Sequence, residues 1–449
     1  MIHQDRVKVL HTATPARGSF VLYWMQASQR AHYNHALEYA IEQANTLALP
    51  VGVLFCLTDD YPDANLRHYS FMLEGLRSTV DTLAARGIST LIVRGSPVIQ
   101  VPRVARRAAL VVTDCGYLRH QEKWRSEVAE RLDCPFVRVE TDAIVPVDSA
   151  SPKAEYSAAT LRPKLGRILL RYLVPVLPVD PVAPPLQFDE ASLDPSDMDA
   201  ILAASSIDRS VGHVETFRGG TGEAEKRLAT FLDEKLEDYE RLRSNPATQY
   251  SSGLSPYLHF GQISPLFVAL QVRDHGGHGA EAFLEELIIR RELSINFVHY
   301  NARYDSFAAL PDWARKTLSE HEADTRPYVY DLELLERAVT HDPYWNAAQM
   351  EMVRTGSMHN YMRMYWGKKI IEWSPTPAEA YSRALYLNNR WQLDGRDPNS
   401  YAGVAWCFGM HDRPWRERPV FGKVRYMNAA GLERKFPIRD YAMLHGARN

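Results

Sequence analysis

Five short apolar runs, separated by stretches with helical periodicity, fix the architecture of the first third of this chain. They are Phe20–Met25, Val51–Leu57, residues 90–93, residues 110–113 and Phe136–Val139. None alternates apolar with polar residues, as a strand with one wet face would. A strand that is apolar on both sides belongs in a parallel sheet covered by helices on both faces. The intervening segments agree. Leu37, Ala40, Ile41 and Ala44 fall on one helical face, and helices are expected near 73–83 and before Leu110. Residues 1–147 are therefore predicted to form an α/β doubly wound N-terminal domain.

The pattern then changes. Pro175, Pro178, Pro181, Pro184 and Pro185 crowd one stretch that cannot continue a helix. Residues 148–215 are predicted to be a linker. After Gly219-Gly220-Thr221-Gly222, the residues Ala224, Leu228, Phe231 and Leu232 again share a helical face. Those glycines follow a linker rather than a strand, so they mark a helix start and not a dinucleotide fingerprint. Helical patterns dominate to about residue 389, and residues 216–449 are predicted to be an all-α domain.

Composition excludes several function classes. The formal net charge is −3, so contact with nucleic acid needs a local basic surface. Four scattered cysteines form no CxxC pair, which argues for a reducing compartment and against zinc or a disulfide framework. No apolar run reaches about 18 residues, and the first 20 residues lack an apolar signal core. A cytoplasmic location follows as the expectation. His32 with His35, and His321-Glu322-Ala323-Asp324, lack the further ligands of a metal site, and no GxSxG elbow or Walker loop is present.

The chemistry concentrates in the second half. Ser251-Ser252-Gly253 precedes Leu254-Ser255-Pro256-Tyr257-Leu258-His259-Phe260-Gly261. Hydroxyls and bare backbone N–H groups ahead of a packed helix suit a diphosphate; the same residues also read as a plain helix N-cap run. Further on stand Tyr344-Trp345-Asn346, then Thr355-Gly356-Ser357-Met358-His359-Asn360-Tyr361-Met362-Arg363-Met364-Tyr365-Trp366, and Asn388-Asn389-Arg390-Trp391-Gln392-Leu393-Asp394-Gly395-Arg396-Asp397-Pro398-Asn399. Tyr401-Ala402-Gly403-Val404-Ala405-Trp406 and His411-Asp412-Arg413-Pro414-Trp415 complete the series. In this order the motifs resemble class II cyclobutane pyrimidine dimer (CPD) photolyases of the photolyase/cryptochrome family.

The resemblance implies an all-α C-terminal FAD-binding domain that repairs UV-damaged DNA with light. It places the FAD phosphates and ribitol on Tyr239, Ser251, Ser252, Gly253, Leu254 and Ser255. It sets Asn388 opposite flavin N5, an Arg363–Asp394 ion pair beside the isoalloxazine, and Asp397 in the same loop. Glu286 is the acid that hydrogen-bonds the pyrimidine carbonyl, acting protonated. Trp406, Trp415 and Met364 wall the lesion, and Trp345, Trp366 and Trp373 relay electrons. Arg243, Arg290, Arg413, Lys423 and Arg425 face the DNA, with Arg425 filling the gap in the duplex. One departure stands out: Arg290 occupies a position where some relatives carry Trp.

Residues 411–440 support a DNA surface, with eight Lys or Arg against four acids and with Trp415, Phe421 and Tyr426 interleaved. Taken without the resemblance, 394–397 reads as a turn, Glu285-Glu286 as an exposed helical pair and the tryptophans as core. The implied cofactor is fully reduced FAD (FADH−), with an antenna such as 8-hydroxy-5-deazaflavin in the N-terminal domain. The implied partner is DNA carrying a CPD, bound by a monomer that is DNA-associated (nuclear in a eukaryote). A cryptochrome-type photoreceptor would be expected to add a long C-terminal tail. A (6-4) photolyase would be expected to carry pocket histidines. A plain flavin electron carrier would need neither Glu286 nor the basic segment.

Overall fold

The computed structural model describes residues 2–13 and 18–446. Its one sheet contains β1 (Val7–His11), β2 (Phe20–Met25), β3 (Val51–Leu57), β4 (Ser89–Arg94), β5 (Ala108–Asp114) and β6 (Phe136–Val139), in the order β1-β6-β5-β2-β3-β4. Strands β2 to β6 pair in parallel, and β1 adds antiparallel to β6 at one edge. From the β2–β5 pair the chain winds outward in both directions, as expected, so the topological switch point lies between those strands. Every residue of β2, β3, β5 and β6 is buried. Val21, Tyr23, Val53 and Phe55 feed one core, while Leu22, Trp24, Leu54 and Cys56 feed the other. That two-sided burial is why these runs do not alternate.

Two elements differ from expectation. Strand β1 carries Lys8 and His11 and is half exposed, so it shows no apolar run; its pairing with β6 supplies what its composition does not. The segment 148–215, expected as a linker, contains helices of its own. Ala158–Tyr172 is a helix despite the internal Pro163, because Leu161, Leu165 and Tyr172 bury one face against the helical half. The proline-rich run after it is irregular and tied to the sheet domain, with the Val179 N–H donating to Glu38 Oε2 at 2.8 Å.

The second half is helical through His445, further than the sequence pattern extends. Three contacts seat it on the sheet domain. Gly261 adopts φ 65°, and a Cβ there would stand 1.9 Å from the Ala27 carbonyl oxygen just past β2. Only glycine permits that approach. Arg30 donates both to Asp142 (2.7 Å) and to the Gly261 carbonyl (3.0 Å). Arg67 reaches the carbonyls of Met352, Val353 and Trp391, closing the C-terminal ends of the helices Pro343–Thr355 and Pro377–Trp391. Among the described residues, no helix is long and apolar enough to cross a membrane.

Candidate active site

The helix Asn360–Trp373 is the spine of the site. Arg363, Met364 and Trp366 project from neighbouring positions on it. Arg363 Nη2 reaches both carboxylate oxygens of Asp394 at 2.9 Å, and its Nε donates to the Met358 carbonyl at 3.1 Å. Asp394 is only 8% exposed. Removing one partner of such a shielded pair costs about 3–5 kcal/mol, so it is a fixed wall of the site. Gly367, three residues after Met364, lies against Cys407, where a Cβ would meet the sulfur at 2.6 Å. This approach brings the Met364 turn against the helix Pro398–Cys407, which carries Trp406.

The loop 394–397 joins two motifs. Asp397 accepts from His259 Nδ1 at 3.2 Å and caps the helix Pro398–Cys407 through the Asn399 N–H at 2.8 Å. Burial pushes the Asp397 carboxyl up, but the His259 bond and charge, Arg291 and the Asn399 N–H outweigh it and hold it below its usual value. Asn388 is buried and fully engaged. Its Nδ2 donates to Ser400 Oγ (2.5 Å) and to Asn389 Oδ1 (3.1 Å), while its Oδ1 accepts from Gln392 (2.9 Å). Its amide therefore has one orientation. The hydroxyls of Ser251 and Ser255 have no protein partner among the described residues, and both are exposed ahead of or within the helix Ser255–His259. Free hydroxyls of this kind can donate to an anionic group such as a phosphate.

Glu286 and Arg290 occupy a π-helical turn, Glu285–Arg290, set between the helices Ala280–Leu284 and Arg291–Tyr300. Such wide turns recur at functional sites because they re-aim side chains. Glu286 Oε1 accepts from Arg243 Nη1 at 2.7 Å, with both side chains about one-third exposed. A pair that wet is worth well under about 1 kcal/mol, so an incoming ligand can displace it. Arg243 also lies 5.7 Å over the Tyr239 ring. Arg290 turns to the other acid of the turn: its Nε lies 3.4 Å from Glu285, which also binds Arg162.

The basic segment folds back on Trp406. Arg425 lies 5.7 Å from the Trp406 centroid and 5.0 Å from that of Trp415, and Arg413 lies 5.5 Å from Trp415. Trp415 is 41% exposed; its backbone N–H donates to the Lys423 carbonyl at 2.8 Å and its indole N–H to the Asp412 carboxylate at 3.2 Å. The Lys423 ammonium extends to 3.9 Å from Glu417.

The three tryptophans adjoin, but not in sequence order. Trp345 stacks on Trp366 with centroids 6.3 Å apart and meets Trp373 edge-on at 5.5 Å, so Trp345 is the middle member. Trp366 is three residues beyond Arg363, one turn along the same face. All three are at most 3% exposed.

Three participants carry no role in the sequence reading. His259 lies inside the quoted motif and bonds Asp397. Lys368 is fully buried, donates to the Cys407 carbonyl and lies 5.5 Å from the Trp406 ring; its i+4 spacing from Met364 was the available signal. Burial lowers its ammonium to about 8, against the opposing pull of Cys407 and Asp412 and alongside Arg425. Arg396 enters a cavity at the C-terminal ends of β2, β3 and β5, lined by Trp24, Gln26, Gln29, Tyr117 and Phe260 among others. Buried and without partners there are Gln26 Nε2, Gln29 Oε1, and Arg396 Nε and Nη2.

The DNA photolyase family model matches residues 21–185. The chain is 54% identical to the deoxyribodipyrimidine photo-lyase of Methanothermobacter thermautotrophicus, covering 98% of each chain. It is 40% identical to that of Potorous tridactylus (94% of this chain, 80% of that one) and 41% identical to that of Arabidopsis thaliana (94% and 88%). Among solved structures, a Synechocystis cryptochrome superposes with TM-score 0.72 at 14% identity, over 95% of this chain and 88% of that one. An archaeal photolyase from Sulfolobus tokodaii with two FAD molecules gives TM-score 0.71 at 17% identity, over 95% and 89%.

Proposed function

We propose that this chain, which belongs to the photolyase/cryptochrome family, repairs cyclobutane pyrimidine dimers in DNA by light-driven electron transfer, as an enzyme of class II type. The family membership rests on identity of 54% across 98% of the chain. The chain is a deoxyribodipyrimidine photo-lyase, a flavoprotein of DNA repair. Lesion, mechanism, class and site residues are our reading.

One observation carries that reading. The Arg363–Asp394 wall stands on the spine helix, and the Trp406–Arg425–Trp415 stack meets the same helix through Lys368, 5.5 Å from the Trp406 ring. When bound and fully reduced, FAD supplies the photo-excited electron that opens the cyclobutane ring. The protein performs the remaining tasks. Ser251, Ser252, Gly253, Leu254 and Ser255, with Tyr239, hold the phosphates and ribitol. Asp394 and Arg363 fix the plane of the ring system, Asp397 braces the loop beneath it, and the Asn388 amide faces it with a neutral dipole that tolerates negative charge.

The dimer leaves the duplex to reach the site, at a cost reduced by its already weakened stacking. Trp406, Trp415 and Met364 offer faces and a polarisable sulfur to the puckered ring pair. Glu286, whose Oε1 is met by Arg243, is the acid that hydrogen-bonds the pyrimidine carbonyl where charge develops. Arg243, Arg290, Arg413 and Lys423 meet the backbone, and Arg425 moves from between the tryptophans into the gap left in the duplex. Trp366, Trp345 and Trp373 carry electrons inward when the cofactor must be reduced. We assign the antenna to the cavity at the strand ends. Its unpartnered amides and guanidinium suit a flat aromatic with polar edges, such as a deazaflavin. The enzyme acts as a DNA-associated monomer.

The test is repair of two oligonucleotides under blue light by the purified, reduced protein, one with a CPD and one with a (6-4) lesion. The reading expects light-dependent reversal of the CPD alone. Reversal of the (6-4) lesion instead, or flavin binding with no repair of either, overturns it.

A further inference from the structure

Trp373, the outermost of the three tryptophans, is only 1% exposed. Beyond it lies an aromatic cluster that none of the roles above employs. Tyr330 packs edge-on against Trp373 with centroids 5.3 Å apart, and its backbone N–H donates to the Trp373 carbonyl at 3.2 Å. The Tyr330 hydroxyl accepts the backbone N–H of His341 at 3.0 Å and lies 2.7 Å from Nδ1 of the same residue. With His341 as the Nε2–H tautomer, the Tyr330 hydroxyl donates its own proton to Nδ1 while its oxygen accepts the backbone N–H. The His341 ring also meets Trp373 edge-on at 5.3 Å, and Tyr328 stacks on it at 3.7 Å with planes 20° apart. Tyr328 is 48% exposed and His341 is exposed as well, so the cluster reaches water where Trp373 does not.

We infer that Tyr330 and His341 form the outer terminus of the electron relay, a proton-coupled tyrosine donor one step beyond Trp373. This rests on the assignment of the tryptophans as a relay. When Trp373 has lost an electron and stands as an indole radical cation, Tyr330 returns one electron to it, restoring the neutral indole with its N–H intact. The phenolic proton passes to His341 Nδ1. The resulting imidazolium releases its Nε2 proton to water. The products are a neutral phenoxyl radical on Tyr330, neutral Trp373 and a proton in solvent. A small thiol in solution then donates a hydrogen atom to the phenoxyl, restoring the phenol and leaving a thiyl radical.

The placement answers an electrostatic problem. A positive charge on Trp373 would sit in a dry core, 5.5 Å from the Lys369 ammonium, whose repulsion is only partly offset by the Lys369–Glu372 pair at 2.7 Å. Sending the proton out through His341 removes that charge. It also makes back-transfer depend on recovering both particles.

The test is time-resolved optical and paramagnetic-resonance spectroscopy of the flavin-loaded protein under illumination, read as radical identity and lifetime. In the parent protein a tryptophanyl radical cation is expected to give way to a neutral tyrosyl radical, more slowly in deuterated water. Tyr330→Phe should leave the radical on tryptophan, with a lifetime several-fold shorter. His341→Gln keeps a hydrogen-bond acceptor without a base, so tyrosyl formation should slow several-fold, and added imidazole should restore it in His341→Gly. A tryptophanyl radical that persists unchanged in the parent protein and in Tyr330→Phe overturns the inference. Trp373→Phe separates the two levels. If long-lived radicals form normally in it, the tryptophan relay itself is wrong. If they vanish in it while no tyrosyl radical ever appears in the parent, the relay stands and the tyrosine terminus falls.

Discussion

Arg425 stands over the exposed face of Trp415, its guanidinium carbon 5.0 Å from the ring centroid, and the same group lies 5.7 Å from Trp406. A flexible cation thus lies against both aromatic walls. In this position it keeps the tryptophans apart and their apolar faces covered. Arg425→Ala should weaken binding of dimer-containing DNA by roughly 1–3 kcal/mol and weaken binding of undamaged duplex by much less. Equilibrium titration of both duplexes checks this; equal losses on the two would make Arg425 a plain phosphate contact.

Glu286 is held only by the wet Arg243 contact, so it is available to the substrate. Glu286→Ala should lower the repair yield per absorbed photon several-fold and leave affinity for damaged DNA nearly unchanged. Glu286→Gln, whose amide can still donate, should retain most of the yield. A Gln variant as poor as the Ala variant would show that the carboxyl does something other than donate a hydrogen bond.

In the proposed relay Trp366, three residues beyond Arg363 and stacked on Trp345, is the inner end. Trp366→Phe should slow light-driven reduction of the oxidised flavoprotein by an order of magnitude or more. Once reduced chemically, the variant should still reverse dimers. Stopped illumination with absorbance readout measures the first effect, and unchanged photoreduction would return the three tryptophans to a packing role.

Glu292 joins the two halves of the molecule, accepting the backbone N–H groups of Ile144 (2.7 Å) and Val145 (3.0 Å). Burial raises its carboxyl to about 7, against the opposing pull of those donors, Arg291 and Arg6. The native form therefore keeps a proton that the unfolded form has lost above its ordinary value of 4.5. Raising the pH through that window favours unfolding, and above about 7 the penalty is constant. At about 1.4 kcal/mol per unit, the full loss is about 3 kcal/mol. Denaturant titrations of Glu292→Gln and the parent, at about pH 4.5 and about pH 8, should show the variant gaining stability relative to the parent by about that amount.

Much of the sheet domain was legible because burial on both faces writes itself into uninterrupted runs such as Val51–Leu57. β1 was not, since an edge strand can carry Lys8 and His11 and rely on β6. The helix Ala158–Tyr172 was obscured by Pro163 and the prolines that follow; its reason for existing is a face matched to a partner half a chain away. The pairing of Arg363 with Asp394 follows from motif resemblance, whereas its neighbours are products of the fold. Sequence spacing places Trp366 and Trp373 on one face but cannot show that Trp345 inserts between them. Nor can it show that Lys368 underlies Trp406, that Arg290 prefers Glu285, or that Arg396 and Gln29 meet at the ends of parallel strands.

The central claim is that light returns a dimer in DNA to its two pyrimidines with no net change in the redox state of the protein. The direct measurement illuminates the reduced flavoprotein with a CPD-containing oligonucleotide, counting dimers lost and recording the flavin spectrum before and after. Many dimers reversed per protein molecule, none in the dark, and an unchanged reduced spectrum are expected. Dimers that survive illumination, or reversal that stops after one event with the flavin left oxidised, would contradict it.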